Sequence, residues 1–499
     1  MENIMRQVIN SQLEFGQVDI SQIKFDLKSR DGMPRVLRGL QHIYVTANLR
    51  EAVFELLEKE MLPTINKGNG RRGMELWKIL VLGVLRLDLN IDYDHLHDLV
   101  NNHSTLRQML GHADFYDKTY YHVQTLKDNI GLLSEELLIQ LNELIVNGGH
   151  ALVTKKSDGE VLHGRCDSFV VETNVHYPTD SNLLLDALRK VLFLSADLCA
   201  KFELSDLRQY RYNFRKLKYA QRQIQKSRRG KALDDKVESA YSAYINLAEL
   251  ELVKVTRVLE PLEQRVDLNL IDKLSLDEIN RYVAHAKRQI KQIERRVIHG
   301  EIIPHSEKVF SIFEPHTEWI SKGKAGVPVE LGMRVCVLED QHQFILHHVV
   351  MEKETDDKIA ITMVESSQKK FPQLKVVSFD KGFHSQANQE ELHKRLDTVA
   401  LPRKGRLSKA AKEIESSADF SKARKKHSGV ESAINGLEIG GLDRCPDHGI
   451  IGFKRYIALA VLARNLHRIG EVLYRREQKA LLRQVLQKAA NAAILHHVA

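Results

Sequence analysis

Apolar residues recur at helical spacing through the first third of the chain. Leu76, Ile79, Leu80, Gly83, Val84 and Leu87 form one stripe, Leu96, Leu99 and Val100 a second, and Leu106, Met109 and Leu110 a third. Such spacing predicts short helices that each bury one face. The polar breaks Asn90-Ile-Asp-Tyr-Asp94 and Asn101-Asn-His-Ser104 separate them. Residues 1–150 are therefore expected to form a helical domain, with the flexible basic connector Gly68-Asn-Gly-Arg71-Arg72-Gly73 just before its second half. Periodicity alone reads as helix packing rather than as a helix-turn-helix DNA reader, and the same domain could serve DNA-end binding or dimerisation.

After residue 160 the period changes from helical to alternating. Arg165-Cys-Asp-Ser-Phe-Val-Val-Glu-Thr173 predicts a strand, and Pro178-Thr-Asp180-Ser supplies caps for a helix beginning near Asn182. Residues 182–304 then read as a helical insertion. One stripe runs Leu233, Val237, Ala240, Tyr241, Tyr244, Leu247 and Ala248; another runs Ile279, Val283, Ala286, Ile290, Ile293 and Val297. Ser275 with Glu278 resembles a capping box and Gly300 a stop. Two such stripes predict an antiparallel hairpin or a short coiled coil.

Strand and helix signals alternate again from about residue 329. Val329 to Glu339 and Phe344 to Met351 flank Asp340-Gln-His as a hairpin, followed by a helix from Asp356 to Ser367. The apolar run Leu374 to Phe379 should pair parallel to a neighbour, because a helical crossover precedes it. A helix capped at Ser385 and a strand near Val399 follow, and residues 441–499 read as C-terminal helices. The expectation is an α/β core built from 160–181 and 305–440, divided by the insertion.

Composition sharpens this only modestly. A chain of 499 residues suggests two to four domains. Its 74 Lys and Arg against 66 Asp and Glu leave a net charge of +8, which points toward a polyanionic partner. No run approaches the ~18–20 apolar residues of a membrane span, and the N-terminal stretch lacks the apolar centre of a signal peptide. No membrane role is expected. Cys166, Cys199, Cys336 and Cys445 are scattered, which predicts neither disulfides nor a zinc knuckle; Cys445-Pro-Asp-His448 offers too few ligands for a zinc shell.

Three carboxylates stand out by position. Asp167 lies in the first strand of the α/β core, Asp380 ends the strand before Lys381-Gly-Phe383, and Glu431 sits on a helix with the apolar face Val430, Ala433, Ile434 and Leu437. Converging at an open sheet end, they would bind hard divalent ions, Mg²⁺ or Mn²⁺. Two such ions about 4 Å apart serve in-line phosphoryl displacement. Each acid also has a plain explanation, as turn residue or solvated helix face. Glu172 and Asp180 compete for the first position, although Glu172 falls on the other strand face and Asp180 reads as a cap.

Longer motifs surround these acids. Arg165-Cys-Asp-Ser-Phe-Val-Val-Glu-Thr-Asn-Val-His-Tyr-Pro-Thr-Asp-Ser181, Ser378-Phe-Asp-Lys-Gly-Phe-His-Ser385 and Lys426-His-Ser-Gly-Val-Glu-Ser-Ala-Ile-Asn435 are three of them. With Gly441-Leu-Asp-Arg-Cys-Pro-Asp-His-Gly449, Gly452-Phe-Lys-Arg-Tyr456 and Gly70-Arg-Arg-Gly-Met-Glu-Leu-Trp-Lys78, the chain resembles bacterial insertion-sequence transposases of the DDE class, of the ISNCY type. The resemblance implies a ribonuclease H-like core and likens the N-terminal stretch to the family's helical domain, in line with the coiled-coil-like insertion that the apolar stripes predict. It further implies two Mg²⁺ or Mn²⁺ ions per site, binding of terminal inverted repeats and target DNA, a homodimer in the synaptic complex, and work in the bacterial cytoplasm. Asp167, Asp380 and Glu431 match the family's catalytic, metal-binding acids. The satellite positions around the Glu are Arg424, His427 and Glu438 here, a departure from the Tyr, Arg and Lys of the wider superfamily.

Basic residues cluster in two places. Arg208, Arg211, Arg215, Lys216, Lys218, Arg222, Lys226, Arg228, Arg229 and Lys231 fall in a segment without Asp or Glu, with Tyr210, Tyr212, Phe214 and Tyr219 interleaved. Arg403, Lys404, Arg406, Lys425 and Lys426 lead toward Glu431. Both are expected to contact DNA phosphates; a solvated helix face is the plain alternative. The function expected is transposition by metal-dependent cleavage and strand transfer. Alternatives are a catalytically inactive DNA-binding protein on the same fold and a simple metal-dependent nuclease.

Overall fold

The computed structural model describes residues 6–10, 12–62, 73–113, 117–154, 160–229, 234–265, 267–321, 328–405 and 408–498, apart from the side chains of 228, 229, 234, 410 and 489–498. The chain divides into two units, Met1–Asn174 with Lys322–Ala499, and Val175–Ser321.

Seven strands occur among the described residues: β1 (Leu162–Thr173), β2 (Glu318–Ser321), β3 (Val329–Glu339), β4 (Ile345–Met351), β5 (Leu374–Phe379), β6 (Thr398–Ala400) and β7 (Arg444–Cys445). All but β2 belong to the first unit. There, β3 and β4 form the expected hairpin, whose turn is held by Asp340: its Oδ1 accepts from His342 N at 2.8 Å and Phe344 N at 3.0 Å. β1 lies antiparallel to β3 and parallel to β5, β6 lies parallel to β5, and β7 runs parallel to the far end of β1. The order across this mixed sheet is β4-β3-β1-β5-β6. Helices Asp356–Lys370 and Gln386–Arg395 form the crossovers to β5 and β6, and Ser385 caps the second through Asn388 N.

Residues 1–150 do not stand apart as a separate helical domain. Their helices share one apolar core with the sheet and the long helix Gly449–Val498. The helix Met33–Val45 meets that long helix so closely that Gly39 faces the Leu466 carbonyl and Gly470 the Arg35 carbonyl. A buried polar knot joins all three parts of the chain. Asn142 Nδ2 donates to the Ile345 carbonyl at 3.0 Å, Asn465 Nδ2 donates to Asn142 Oδ1 at 2.7 Å, and Ile345 N donates to Asn465 Oδ1 at 2.9 Å. Binary patterning finds each helix but not its partner, so the expected boundary near residue 150 dissolves into a common core.

The second unit has its own core, built by helices Asp180–Lys201, Tyr210–Arg229, Asp234–Glu263 and Leu270–Ile293. Most of each apolar stripe is buried as expected, with Val237, Ala240, Leu247 and Val297 only partly covered, and Leu233 lies outside the described residues. They do not pair mainly with each other. Leu270–Ile293 packs chiefly on Asp180–Lys201, and Asp234–Glu263 on Tyr210–Arg229, giving four helices where a two-helix hairpin was expected. Two caps also differ. Thr179, not Asp180, accepts from Asn182 N and the helix starts at Asp180 itself. The later helix starts after Asn269, which accepts from Asp272 N, so Ser275 and Glu278 lie inside it and Ser275 Oγ bonds back to the Ile271 carbonyl. An upstream Asn in extended backbone caps as well as Ser, and local spacing does not choose between them. No described helix is long and apolar enough to cross a membrane.

In an ordinary helix interior Gly→Ala gains about 1 kcal/mol. Gly39→Ala should do the opposite, because its Cβ would lie 2.2 Å from the Leu466 carbonyl oxygen. A loss of about 1–3 kcal/mol is expected, read as a lower urea midpoint; an unchanged or higher midpoint would show that the two helices separate without penalty.

Candidate active site

The parallel register of β1 with β5 pairs Cys166 with Phe379, so the next residues, Asp167 and Asp380, come side by side. Phe379 and Phe383 are both buried with ring centroids 5.5 Å apart, which pins the turn Lys381–Phe383 that carries Asp380 out of the sheet. Glu431 lies in the first turn of the helix Gly429–Leu437, which buries Val430, Ala433 and Leu437 and leaves the Glu outward. That helix packs on β1. Asp167 is half-buried, whereas Asp380 and Glu431 are exposed.

Asp167 senses the other acids. Burial pushes the Asp167 carboxyl up to about 6, the charges of Asp380, Asp356 and Glu431 push in the same direction, and a hydrogen bond from Ser168 N opposes them. That bond to Asp167 Oδ1 measures 2.8 Å. The expected trio is thus brought to one end of the sheet, together with a fourth acid that the sequence did not single out.

Asp356 opens the helix after β4, and Ser168 Oγ donates to its Oδ1 at 2.6 Å. A Cβ on Gly382 would approach Asp356 Oδ2 to 2.9 Å, so the Asp-Lys-Gly turn leaves room for this carboxylate. In the sequence, Asp356-Asp357 reads as ordinary acidic content of a helix first turn, favoured by the dipole. Only the β1–β3–β4 pairing carries it back to Asp167.

His427 ends the helix before Gly429, with Nδ1 3.1 Å from Ser378 Oγ. Burial lowers its pKa although Asp380 and Glu431 pull it up, so the ring is neutral near pH 7. Arg165, two residues before Asp167 on β1, places Nη1 3.3 Å from Glu339 Oε2 and donates from Nη2 to the Asp340 carbonyl at 3.0 Å. Burial raises the Glu339 carboxyl to about 7 against this guanidinium.

Among the basic residues expected near Glu431, Lys404 donates from Nζ to the Gly382 carbonyl at 2.9 Å, directly beside the Asp380 turn. Arg403 uses its backbone N–H to reach Glu415 Oε1 at 3.0 Å. Lys425 and Lys426 are exposed at the end of the helix Ala418–His427. Arg406 lies outside the described residues, as do Gly70, Arg71, Arg72 and Lys231. Arg208 precedes the helix Tyr210–Arg229 of the second unit, on which Arg211, Arg215, Lys216, Lys218, Arg222 and Lys226 are all exposed. The side chains of Arg228 and Arg229 are outside the described residues.

The competing acids have other partners. Glu172 pairs with Arg444 at 2.8 Å and Asp180 with Arg296 at 2.6 Å. Asp447 of the Cys-Pro-Asp-His run pairs with the buried Arg86 at 2.8 Å, which explains that motif structurally. A cavity of about 680 Å³ near Glu75, His112 and Tyr121 includes none of the four acids; theirs is an open rim.

No protein-family model, curated protein or solved structure matches the chain. Among the described residues, no three His, Cys, Asp or Glu side chains are gathered as a ready-made ion shell. The donor chemistry nevertheless suits a hard divalent cation, since the acids near Asp167 offer oxygen donors and a bound cation would offset the like charges that raise the Asp167 carboxyl.

Raising the Asp167 carboxyl from 3.8 to about 6 makes the folded protein hold a proton that the unfolded chain has lost. Stability therefore falls as pH rises through that window, and the full penalty is present above about 6. Asp167→Asn should raise stability near pH 7.5 in chelator by about 1–2 kcal/mol after allowing for solvent screening, with the gain gone near pH 4. Urea midpoints at the two pH values test this, and a gain of equal size at both would remove the charge explanation.

Proposed function

We propose that the chain is an insertion-sequence transposase of the DDE class, a metal-dependent polynucleotidyl transferase built on a ribonuclease H-like core. The observation that supports this reading is the shared field at Asp167: the charges of Asp380, at the end of the adjacent parallel strand, and of Glu431, on a later helix, both raise the Asp167 carboxyl on β1. These are the positions the family resemblance assigns. The strand order β4-β3-β1-β5-β6, three strands antiparallel and two parallel, suits such a core.

Asp167, Asp380 and Glu431 would hold Mg²⁺ or Mn²⁺. The ions, when bound, supply Lewis-acid charge at the scissile phosphate. Asp167 must be ionised to take part, which its raised pKa delays to near-neutral pH. Ser168 holds Asp356 beside it, and Lys404, tied to the Gly382 carbonyl, places a cation where a phosphate would approach Asp380. In the first step water attacks the phosphorus at an element end and gives up a proton to solvent, the P–O3′ bond breaks, and the departing 3′-oxygen takes up a proton, leaving a 5′-phosphate and a free 3′-hydroxyl. In the second, that hydroxyl attacks a target phosphorus and loses its proton, a new P–O3′ bond replaces the target's, and the displaced target 3′-oxygen takes up a proton as a 3′-hydroxyl. Terminal repeats and target DNA are the substrates, two ends would be joined by a homodimer, and the setting would be the bacterial cytoplasm.

Asp380→Ala and Glu431→Ala are each expected to lower Mg²⁺-dependent cleavage of end-bearing DNA by about 10³-fold or more while leaving circular dichroism unchanged. Retained cleavage in either variant would sink the assignment. Millimolar Mg²⁺ should also raise the melting temperature of the unmodified chain more than that of Glu431→Ala, a readout independent of turnover.

Replacing Lys404, Lys425 and Lys426 together by Gln should weaken DNA binding in a sequence-independent way. The slope of log affinity against log salt should become shallower by about 0.9 for each phosphate no longer neutralised, as measured by anisotropy titration. An unchanged slope would place the DNA elsewhere.

A further inference from the structure

The second unit carries a surface that phosphate binding alone does not explain. On the helix Tyr210–Arg229, Arg211, Arg215, Lys218, Arg222 and Lys226 follow one another at helical spacing and are exposed. Beside this basic ridge Tyr212 and Tyr219 are 48% and 66% exposed, unusual for large aromatic side chains in a unit with its own apolar core. They border a groove of about 640 Å³ whose far wall is formed by Ala243 and Leu247 of the helix Asp234–Glu263. Lys216 Nζ lies 4.6 Å from the Tyr212 ring centroid, so cation and aromatic already form a mixed platform.

The chemistry selects the occupant. The helix Tyr210–Arg229 contains no acid, so a second copy docking through the same face would set its basic ridge against this one. A polyanion is favoured instead. Duplex DNA would satisfy the ridge and leave the rings idle, because its bases are stacked on one another and present only their edges in the grooves. Unpaired bases offer π-faces, and stacking on exposed aromatics beside a basic track is how single strands are held without sequence readout. Tyr212 and Tyr219 are separated by two helical turns, about 10 Å along the axis, so each would take its own base. The small side chain of Ala243 and the apolar Leu247 leave the groove open beside the rings for the edge of a planar group.

We infer that this groove binds an unpaired stretch of DNA, with Tyr212 and Tyr219 stacking on bases while the Arg211-to-Lys226 ridge holds the backbone. The choice of DNA rests on the proposed transposase function; the stacking surface itself rests on the exposed rings, the groove and the charge.

The test uses the full-length chain in chelator, where no cleavage occurs, with a fluorescent oligo-dT of about twenty nucleotides, an oligo-U of the same length and a duplex of matching length. Tyr212→Ala and Tyr219→Ala should each weaken oligo-dT binding roughly tenfold and leave duplex binding within about twofold, and Tyr219→Trp should retain it. Arg215→Gln with Arg222→Gln should weaken both ligands and make the salt dependence shallower. Unchanged oligo-dT affinity in both Tyr→Ala variants would overturn the proposal, as would equal losses for duplex. A shift of Tyr219→Ala to a smaller species in gel filtration would assign the face to association between copies instead, and tighter binding of oligo-U than oligo-dT would overturn the assignment to DNA. Because chelator removes catalysis from the measurement, failure of metal-dependent cleavage would refute the transposase reading while leaving this result standing, and the reverse holds equally.

Discussion

Parallel pairing of β1 with β5 is the constraint on which the rest of the candidate site depends. With Cys166 opposite Phe379, Asp167 and Asp380 become neighbours although more than two hundred residues separate them in the chain. A slip of one residue would turn Asp167 to the other face and replace it with Ser168 or Cys166. The register is secured by burial of Cys166 and Phe379, both fully inaccessible, and by the antiparallel partner β3 on the other side of β1. The apolar strand faces thus hold together charges that would separate if free.

This arrangement keeps one carboxylate partly out of water beside three others. Ionising Asp167 there opposes folding, chiefly through its burial and then through the neighbouring charges, and the apolar core below supplies the stability that holds it in place. Ser168 spans the tension directly: its backbone N–H bonds Asp167 while its hydroxyl bonds Asp356. One residue therefore orients two acids from different elements. The exposed positions of Asp380 and Glu431 keep the cluster open to a large substrate, and the neighbouring cations lie on the rim rather than among the acids.

The helical parts divide between the two units in a way that bears on function. Helices from both ends of the chain cover the sheet and share its core, so the ends brace the catalytic candidate instead of forming a detachable reader. The segment between β1 and β3 instead encloses its own apolar interior and displays basic and aromatic side chains outward. Charge that favours polyanions and charge that repels them are therefore carried by different elements: cations on the helix Tyr210–Arg229, acids around the sheet end.

Much of this is legible in sequence. Alternation marks the hairpin β3–β4 and the strand β5, and Asp167, Asp380 and Glu431 stand out by their positions in the motifs. Local spacing determines those features because period and turn chemistry act within a few residues. It misplaces the caps at Asp180 and at Ser275, where neighbouring polar residues compete on nearly equal terms, and it pairs two helical stripes that each find a different partner. Asp356 escapes notice because an acid in a helix first turn is ordinary until a strand pairing brings it beside another acid. Sequence by itself determined the period of the main strands and helices and where the chemically capable side chains lie along them. Tertiary structure alone decided which of those side chains meet, because that depends on burial and register between segments far apart in the chain, and neither is encoded in local period.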